Sequence, residues 1–397
     1  MDLFDKCRSF TRADEVKKLG CYPYFKVIEA NDGPVVTIEG RHLIMAGSNN
    51  YLGLTTHPKV KEAAINAVRK YGSGNSGSRF LNGTLDIHIQ LEESLAKFIG
   101  KEAALTFSTG YQTNQGVIAT LVGKDDYVIS DKENHASIVV GTLMVKGSGG
   151  GLARFQHNDM ADLERVVSAL PLDAGKLIVV DGVFSMSGDI VNLPALVSLA
   201  QKYNARVMVD DAHALGVLGT GGRGTASYFG LDGSVDLIMG TFSKSLASQG
   251  GFVAGDQKVM EYLKHHSSAF TFSASPTPAA AAAALAALEI IEEEPERIDR
   301  LRYNSNKIRN GLKDLGFSVI MGQTAVVPVI IGDDMKTFIF WKGLFDAGVF
   351  VNAVISPAVP QGQQLLRTSF MATHEDAHLD QILHAFERVG KQLGIIH

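Results

Sequence analysis

Between about residues 58 and 260 the chain alternates short apolar runs with longer stretches whose apolar residues return every three or four positions. Residues 103–107, 126–130, 176–181 and 251–254 read as strands, as do 206–209, which runs into Asp210, and 236–239, which runs into Gly240. These runs are nearly continuous, the pattern of strands covered on both faces. Residues 58–71 and 193–203 carry the helical period instead. Strand and helix repeated in turn predict an α/β large domain with a mostly parallel sheet between helical layers. An alanine-rich helix is expected from Pro278, where proline suits the first turn, and the charged stretch 292–302 after it marks a boundary. Apolar runs at 325–331 and 349–354 then predict a smaller α+β C-terminal domain. The expected organisation is a segment of residues 1–55 packing on the small domain, a large domain of 56–290, and a small domain of 291–397.

Two of the strand-like runs end in polar clusters, Asp210-Asp-Ala-His213 and Gly240-Thr-Phe-Ser-Lys244-Ser. Open α/β sheets hold their ligands at such strand ends. Together the clusters supply the groups that pyridoxal phosphate requires. Lys244 is an amine that burial or a nearby cation can make nucleophilic at neutral pH, suited to a Schiff base. Asp210 against the pyridine nitrogen would keep it protonated, so that the ring can take up an electron pair. His213 is in reach of the ring hydroxyl, and Thr241 and Ser243 flank the lysine with hydroxyls for the phosphate. Ser108-Thr-Gly-Tyr-Gln-Thr-Asn follows a strand and opens a helix, so the N–H groups of Gly110 and Tyr111 can bind phosphate there. A core role for the Tyr111 ring is the alternative. His135, in Asn134-His-Ala-Ser, can stack on the ring face opposite Lys244. Arg367 sits on an apolar run, and a buried guanidinium needs an anion: a substrate carboxylate held bidentately, or a structural partner.

Composition narrows the function further. A formal charge of −5 offers no basic field for nucleic acid, and the two cysteines, Cys7 and Cys21, make neither a disulfide framework nor a metal-ligand spacing. The first residues lack the basic start and apolar core of a signal peptide. Residues 279–291 are too short and run too soon into glutamates to span a bilayer. A cytoplasmic enzyme is expected, with no metal, no nucleic acid and no transmembrane segment, and peripheral membrane contact left open. Gly72-Ser-Gly-Asn-Ser-Gly77 matches a dinucleotide fingerprint in letters but follows a helical stretch, and Ser148-Gly-Gly-Gly151, without Gly-Lys-Ser/Thr after it, reads as a flexible loop.

Taken in order, Ser48-Asn-Asn-Tyr-Leu-Gly-Leu54, Gly77-Ser-Arg-Phe-Leu-Asn-Gly-Thr84, Asn134-His-Ala-Ser137, Asp181-Gly-Val-Phe-Ser-Met186, Asp210-Asp-Ala-His213, Thr241-Phe-Ser-Lys244 and Phe272-Ser-Ala-Ser275 resemble the α-oxoamine synthases. The resemblance covers nearly the whole chain. It implies a fold-type I, aspartate aminotransferase-like transferase that condenses an amino acid with an acyl-CoA, loses carbon dioxide and forms an aminoketone. L-serine and a long-chain acyl-CoA are the favoured substrates, and glycine or alanine with another acyl-CoA the alternative. It further implies that Lys244 is the Schiff-base lysine, Asp210 the pyridinium partner and His213 the contact to the ring hydroxyl. His135 would stack and help bind the substrate carboxylate, with Asn49, Ser78 and Arg367 as further substrate contacts and Ser185 near the ring oxygen. Gly110, Tyr111, Thr241 and Ser243 would hold the phosphate, joined by Ser273 and Ala274 from the other subunit of a homodimer with shared active sites. The chain departs from the family at Val139-Val-Gly-Thr-Leu143, where an Asp-Gly pair and a basic residue are usual, in a slightly longer stretch through Gly151, and at Ser187, where many relatives are acidic. These departures spare the cofactor contacts and fall where they bear on the acyl-CoA entrance or the amino-acid pocket. An aminotransferase and a non-catalytic partner subunit are the rival readings; the Gly77-Ser-Arg and His135-Ala-Ser segments speak against the first, and Lys244 with Asp210 and His213 against the second.

Overall fold

The protein's structure is a computed structural model that describes residues 2–397. They form two compact units, Asn49–Arg302 and, separately, the residues up to Ser48 with Tyr303–His397. The divisions thus fall at other positions than the expected 55/56 and 290/291. Tyr51, Leu52 and Leu54 are fully buried, with Leu52 lying against Gly216 of the larger unit, and the second division lies inside a continuous helix, Glu296–Asp314.

Strands are numbered along the chain: β1 (Ala30–Asp32), β2 (Val35–Ile38), β3 (Arg41–Met45), β4 (Ala103–Phe107), β5 (Tyr127–Asp131), β6 (Gly151–Phe155), β7 (Lys176–Asp181), β8 (Arg206–Asp210), β9 (Leu237–Thr241), β10 (Gly251–Gly255), β11 (Val326–Ile330), β12 (Val349–Phe350), β13 (Asn352–Val354) and β14 (Leu365–Ser369). The larger unit holds a seven-stranded sheet in the order β4-β10-β9-β8-β7-β5-β6. Every pairing from β9 to β6 is parallel, and β10 alone runs antiparallel to both its neighbours. Parallel neighbours need a crossover, supplied here by helices such as Ala136–Val145 and Leu193–Lys202, whereas β10 follows β9 after one loop and can only turn back. All residues of β7, β9 and β10 are buried, which explains their unbroken apolar runs.

Two expectations fail for identifiable reasons. Ser148–Gly151 is no flexible loop: Lys146–Ser148 forms a single 3-10 turn, closed by the Ser148 hydroxyl on the Val145 carbonyl at 2.8 Å, and Gly151 opens β6. As an edge strand half open to solvent, β6 carries no continuous apolar signal. In the smaller unit the run 349–354 is not one strand. The Val351 carbonyl accepts the Trp341 indole N–H at 3.0 Å, so β12 joins β1, β2 and β3 while β13 joins β11 and β14. Beneath these strands Phe317, Phe340 and Phe386 form a ring cluster in the core of the smaller unit.

The alanine-rich helix spans Pro278–Glu293, capped by Thr277, whose hydroxyl accepts the Ala280 N–H at 3.3 Å. Most of its alanines are buried because small side chains let it lie close to the Pro58–Tyr71 and Asp86–Ile99 helices. The Gly77–Thr84 segment is fastened by a buried ion pair. Arg79 meets both oxygens of Glu92, at 2.7 and 3.0 Å, and also donates to the hydroxyls of Thr106 and Thr84. The Thr106 N–H closes the network on Glu92 at 2.8 Å. Removing one member strands a buried charge, so Glu92→Ala is expected to lower stability by about 3–5 kcal/mol, read as a lower urea midpoint at unchanged slope.

Candidate active site

The C-terminal ends of β4, β5, β7, β8 and β9 converge on a cavity of about 330 Å³. Its walls include Gly110, Tyr111, Asn114, His135, Ser137, Asp181, Asp210, His213, Thr241, Ser243 and Lys244. A larger cavity, about 510 Å³, lies at the opposite strand ends. Its carboxylates are used on backbone N–H groups, Asp126 on Gly123, Asp236 on Val207 and Asp256 on Lys258 and Val259, and its lining includes neither Lys244 nor Asp210.

Asp210 ends β8 in register with Asp181 at the end of β7, which sets two buried carboxylates on neighbouring strands. Asp210 accepts the Ala212 N–H at 2.9 Å and the Asn114 amide at 2.7 Å. Asp181 accepts the His135 N–H at 2.9 Å. Burial above all, then the charge of Asp210, drives the Asp181 pKa well above the carboxylate range, against the His135 N–H and Lys244. The next residue, Asp211, is buried on Thr225 and pushed up to about 7, again chiefly by burial. His135 is the N-cap of its own helix, with Nδ1 at 2.7 Å from the Ser137 hydroxyl. Burial lowers its pKa; Asp210 pulls it up and Lys244 pushes it down, so the imidazole is neutral at physiological pH.

Lys244 stands in the loop between β9 and β10, where the Phe242 N–H bonds the Gly250 carbonyl at 2.9 Å and the Ser248 N–H bonds the Phe242 carbonyl at 2.8 Å. The fully buried Phe242 ring stacks on Phe252 and anchors this loop to the sheet. Across from it, Thr109 caps the Gly110–Leu121 helix, accepting the Gln112 N–H at 3.1 Å. The helix start sits directly on β9 and β10: a Cβ on Gly110 would lie 2.9 Å from the Thr241 hydroxyl, and one on Gly251 2.6 Å from the Gly110 Cα. Two glycines thus bring the N–H groups of a helix start beside the hydroxyls of Thr241 and Ser243, themselves 2.9 Å apart. Such a set of donors fits a phosphate. Tyr111 is 43% exposed and meets His135 edge to face, which removes the core alternative for its ring.

Of the remaining expected residues, His213 bonds the Tyr51 hydroxyl at 2.6 Å through Nδ1, and Tyr51 donates to Asn49 at 3.2 Å. Ser185 lies in the loop after β7, outside the cavity lining. Ser273 and Ala274 of this chain lie by the Gly110 helix start, accepting from the Gln112 amide at 3.0 Å and from the Ser108 hydroxyl respectively, and Ser78 bridges to Ala274. Arg367 is buried on β14 in the smaller unit. Sequence reasoning missed Asn114, Ser137 and Tyr51 as members of the site. Asn114 had one available signal: it lies one helical turn beyond Gly110, on the same face as the helix start, where a buried amide must have partners.

Outside the cavity, His157 is clamped between two carboxylates, Nδ1 at 3.1 Å from Asp131 and Nε2 at 3.0 Å from Asp189. Asp131 begins the loop to His135 and Asp189 closes the loop that carries Ser185, so one imidazolium ties both. Burial alone would lower its pKa, but the bonds to Asp131 and Asp189 prevail and hold it at about 10.

An open, mostly parallel α/β sheet with a lysine and a carboxylate at neighbouring strand ends defines the fold-type I transferase class. The chain belongs to the aminotransferase class I and II family, whose model matches residues 41–386. It is 50% identical over 393 residues, 99% of this chain and 98% of the relative, to a serine palmitoyltransferase of Sphingobacterium spiritivorum. An 8-amino-7-oxononanoate synthase of Thermoanaerobacter pseudethanolicus is 44% identical over 386 residues, 97% of each chain. Among solved structures, a serine palmitoyltransferase from S. paucimobilis with a bound PLP–myriocin aldimine superposes with a TM-score of 0.96 at 36% identity, covering 100% of both chains.

The His157 clamp has a pH signature. Its folded pKa of about 10 exceeds the ordinary 6.5, so the folded state holds a proton that the unfolded chain releases in between. The clamp's contribution is therefore complete below about pH 6.5 and is lost as pH rises towards 10. His157→Gln is expected to cost about 2 kcal/mol near pH 6 and progressively less towards pH 10, measured by urea unfolding across that range.

Proposed function

We propose that this protein is a pyridoxal-phosphate-dependent acyltransferase of the α-oxoamine synthase type. It condenses L-serine with palmitoyl-CoA or a similar long-chain acyl-CoA, releasing CoA and carbon dioxide and forming 3-ketodihydrosphingosine. The observation that carries this reading is the lining of one cavity by Lys244, Asp210, His135 and His213, in a chain half identical to a serine palmitoyltransferase over nearly its whole length. When bound, the cofactor supplies a carbonyl carbon that captures an amine and a cationic ring that accepts an electron pair.

Each residue then has a task. Asp210, with both oxygens on N–H donors, is the anion that keeps the ring nitrogen's proton. The Gly110 helix start and the hydroxyls of Thr241 and Ser243 bind phosphate; Ser273 and Ala274 of a second copy in a homodimer complete that grip. His213, oriented by Tyr51, bonds the ring hydroxyl, with Ser185 near the same oxygen. The Lys244 amine, displaced when the amino acid enters, takes the Cα proton as general base and returns one at the end. His135 and Asn49 hold the substrate carboxylate, with Ser78 at the substrate's edge; Arg367, in the smaller unit, is a buried guanidinium of the kind that pairs with a carboxylate. The grip of His135 and Asn49 would decide the order of events, because holding the carboxylate fixes the orientation of Cα and with it which of its bonds is presented for cleavage, Cα–H before the bond to the carboxylate. The cytoplasm is the compartment this chemistry suits, and no helix among the described residues is long and apolar enough to cross a membrane.

A second reading has its own support in the 44% identity to an 8-amino-7-oxononanoate synthase, which would keep every task above with glycine or alanine and another acyl-CoA. Pockets that differ by one hydroxymethyl group discriminate by only about 1–3 kcal/mol. Titrating the cofactor-loaded protein with amino acids, followed by absorbance and then by CoA release, is expected to give saturable L-serine binding and turnover with palmitoyl-CoA. Turnover with glycine or alanine but not serine would select the second reading. Lys244→Ala is expected to lower turnover by at least ~10³-fold and to remove the cofactor absorbance of the resting protein, while circular dichroism stays unchanged. Retained turnover would take Lys244 out of the chemistry.

A further inference from the structure

We propose that Asn114 and Ser137 are positioning residues that relay the charge of Asp210 to His135 and fix that imidazole as its Nε2–H tautomer. A carboxylate can only accept, so the Asn114 amide must turn its nitrogen to Asp210 Oδ2, at 2.7 Å; the reverse orientation would set oxygen against oxygen. The second hydrogen of that nitrogen points to the Ser137 hydroxyl at 2.8 Å. An amide nitrogen cannot accept, so the Ser137 oxygen accepts and its one proton is left for His135 Nδ1, at 2.7 Å. The backbone supplies independent support: the Ser137 N–H is also directed at Nδ1, at 3.3 Å, and an N–H can only donate. With donors on Nδ1 from both sides, the ring proton resides on Nε2. The Asn114 oxygen, meanwhile, is buried without a hydrogen-bond partner among the described residues, so the amide's own acceptor did not choose this orientation.

The consequence is directional. His135 lines the cavity and is neutral, and a neutral imidazole offers one donor and one acceptor. The relay makes Nε2 the donor, the only form that a substrate carboxylate can use; the other tautomer would oppose it with a lone pair. That last step rests on the proposed function, whereas the relay itself rests on the protein alone. It also couples two requirements, since the anionic form of Asp210 that suits a protonated ring nitrogen is the form that sets His135 to grip a carboxylate.

The test is nuclear magnetic resonance of the full-length protein labelled with ¹⁵N-histidine, with and without pyridoxal phosphate, with His135 assigned by His135→Gln. Long-range proton–nitrogen correlations are expected to show Nε2 protonated and Nδ1 bare in both samples. Ser137→Ala, which keeps a good helix former at that position, is expected to mix the tautomers and raise KM for L-serine about tenfold with a smaller change in kcat. Asn114→Ala is expected to mix them as well, and Ser137→Thr, which returns the hydroxyl, to restore the single tautomer. An Nδ1–H tautomer in the unaltered protein, or a Ser137→Ala protein that loses thermal stability while His135 keeps its tautomer, would overturn the relay. If the tautomers behave as stated while L-serine fails to bind even the unaltered protein, the relay stands and the proposed substrate falls.

Discussion

The arrangement of this site depends on burying carboxylates at the ends of parallel strands, where each must find hydrogen-bond donors. Register places Asp181 beside Asp210, and Asp211 follows, three acids where water hardly reaches. Unpaired, each would be driven to its neutral form. The fold gives Asp210 two N–H donors, whereas burial leaves Asp181 and Asp211 with raised pKa values. The donors in turn determine their surroundings: Asn114 must face Asp210, Ser137 must face Asn114, and the backbone of His135 is tied to Asp181. A requirement of electrostatics thereby becomes a requirement on the orientation of the groups that line the cavity.

Close approach is the second ingredient. Gly110 and Gly251 let a helix start rest on the sheet at distances that any side chain would forbid, which brings its N–H groups to the hydroxyls after β9. The loop that carries Lys244 is held by its own backbone bonds and by the buried Phe242, so the lysine is presented by a rigid support. Farther out, His157 ties the loops that lead to His135 and Ser185 with one shared cation. The groups that line the cavity are thus mostly polar, while those that fix them are buried carboxylates, glycines and an aromatic ring.

The sequence by itself determined the α/β class and pointed to several of the residues that the structure brings to one cavity. Continuous apolar runs identify buried strands because a strand covered on both faces has no polar side, and Asp210, at the end of one, with His213 and Lys244, in the segments just beyond two such ends, sit where such sheets carry chemistry. Other features had no such signature. The edge strand β6 is half exposed, so its burial leaves no run to see, and the run 349–354 divides between two sheets because a distant indole claims the Val351 carbonyl. Tertiary structure alone decided that Asn114 joins Asp210 to Ser137, since the three residues lie on separate segments and a hydrogen bond depends on where side chains meet in space. Periodicity records which face of an element is buried; only the packed fold records which polar group each buried group must satisfy.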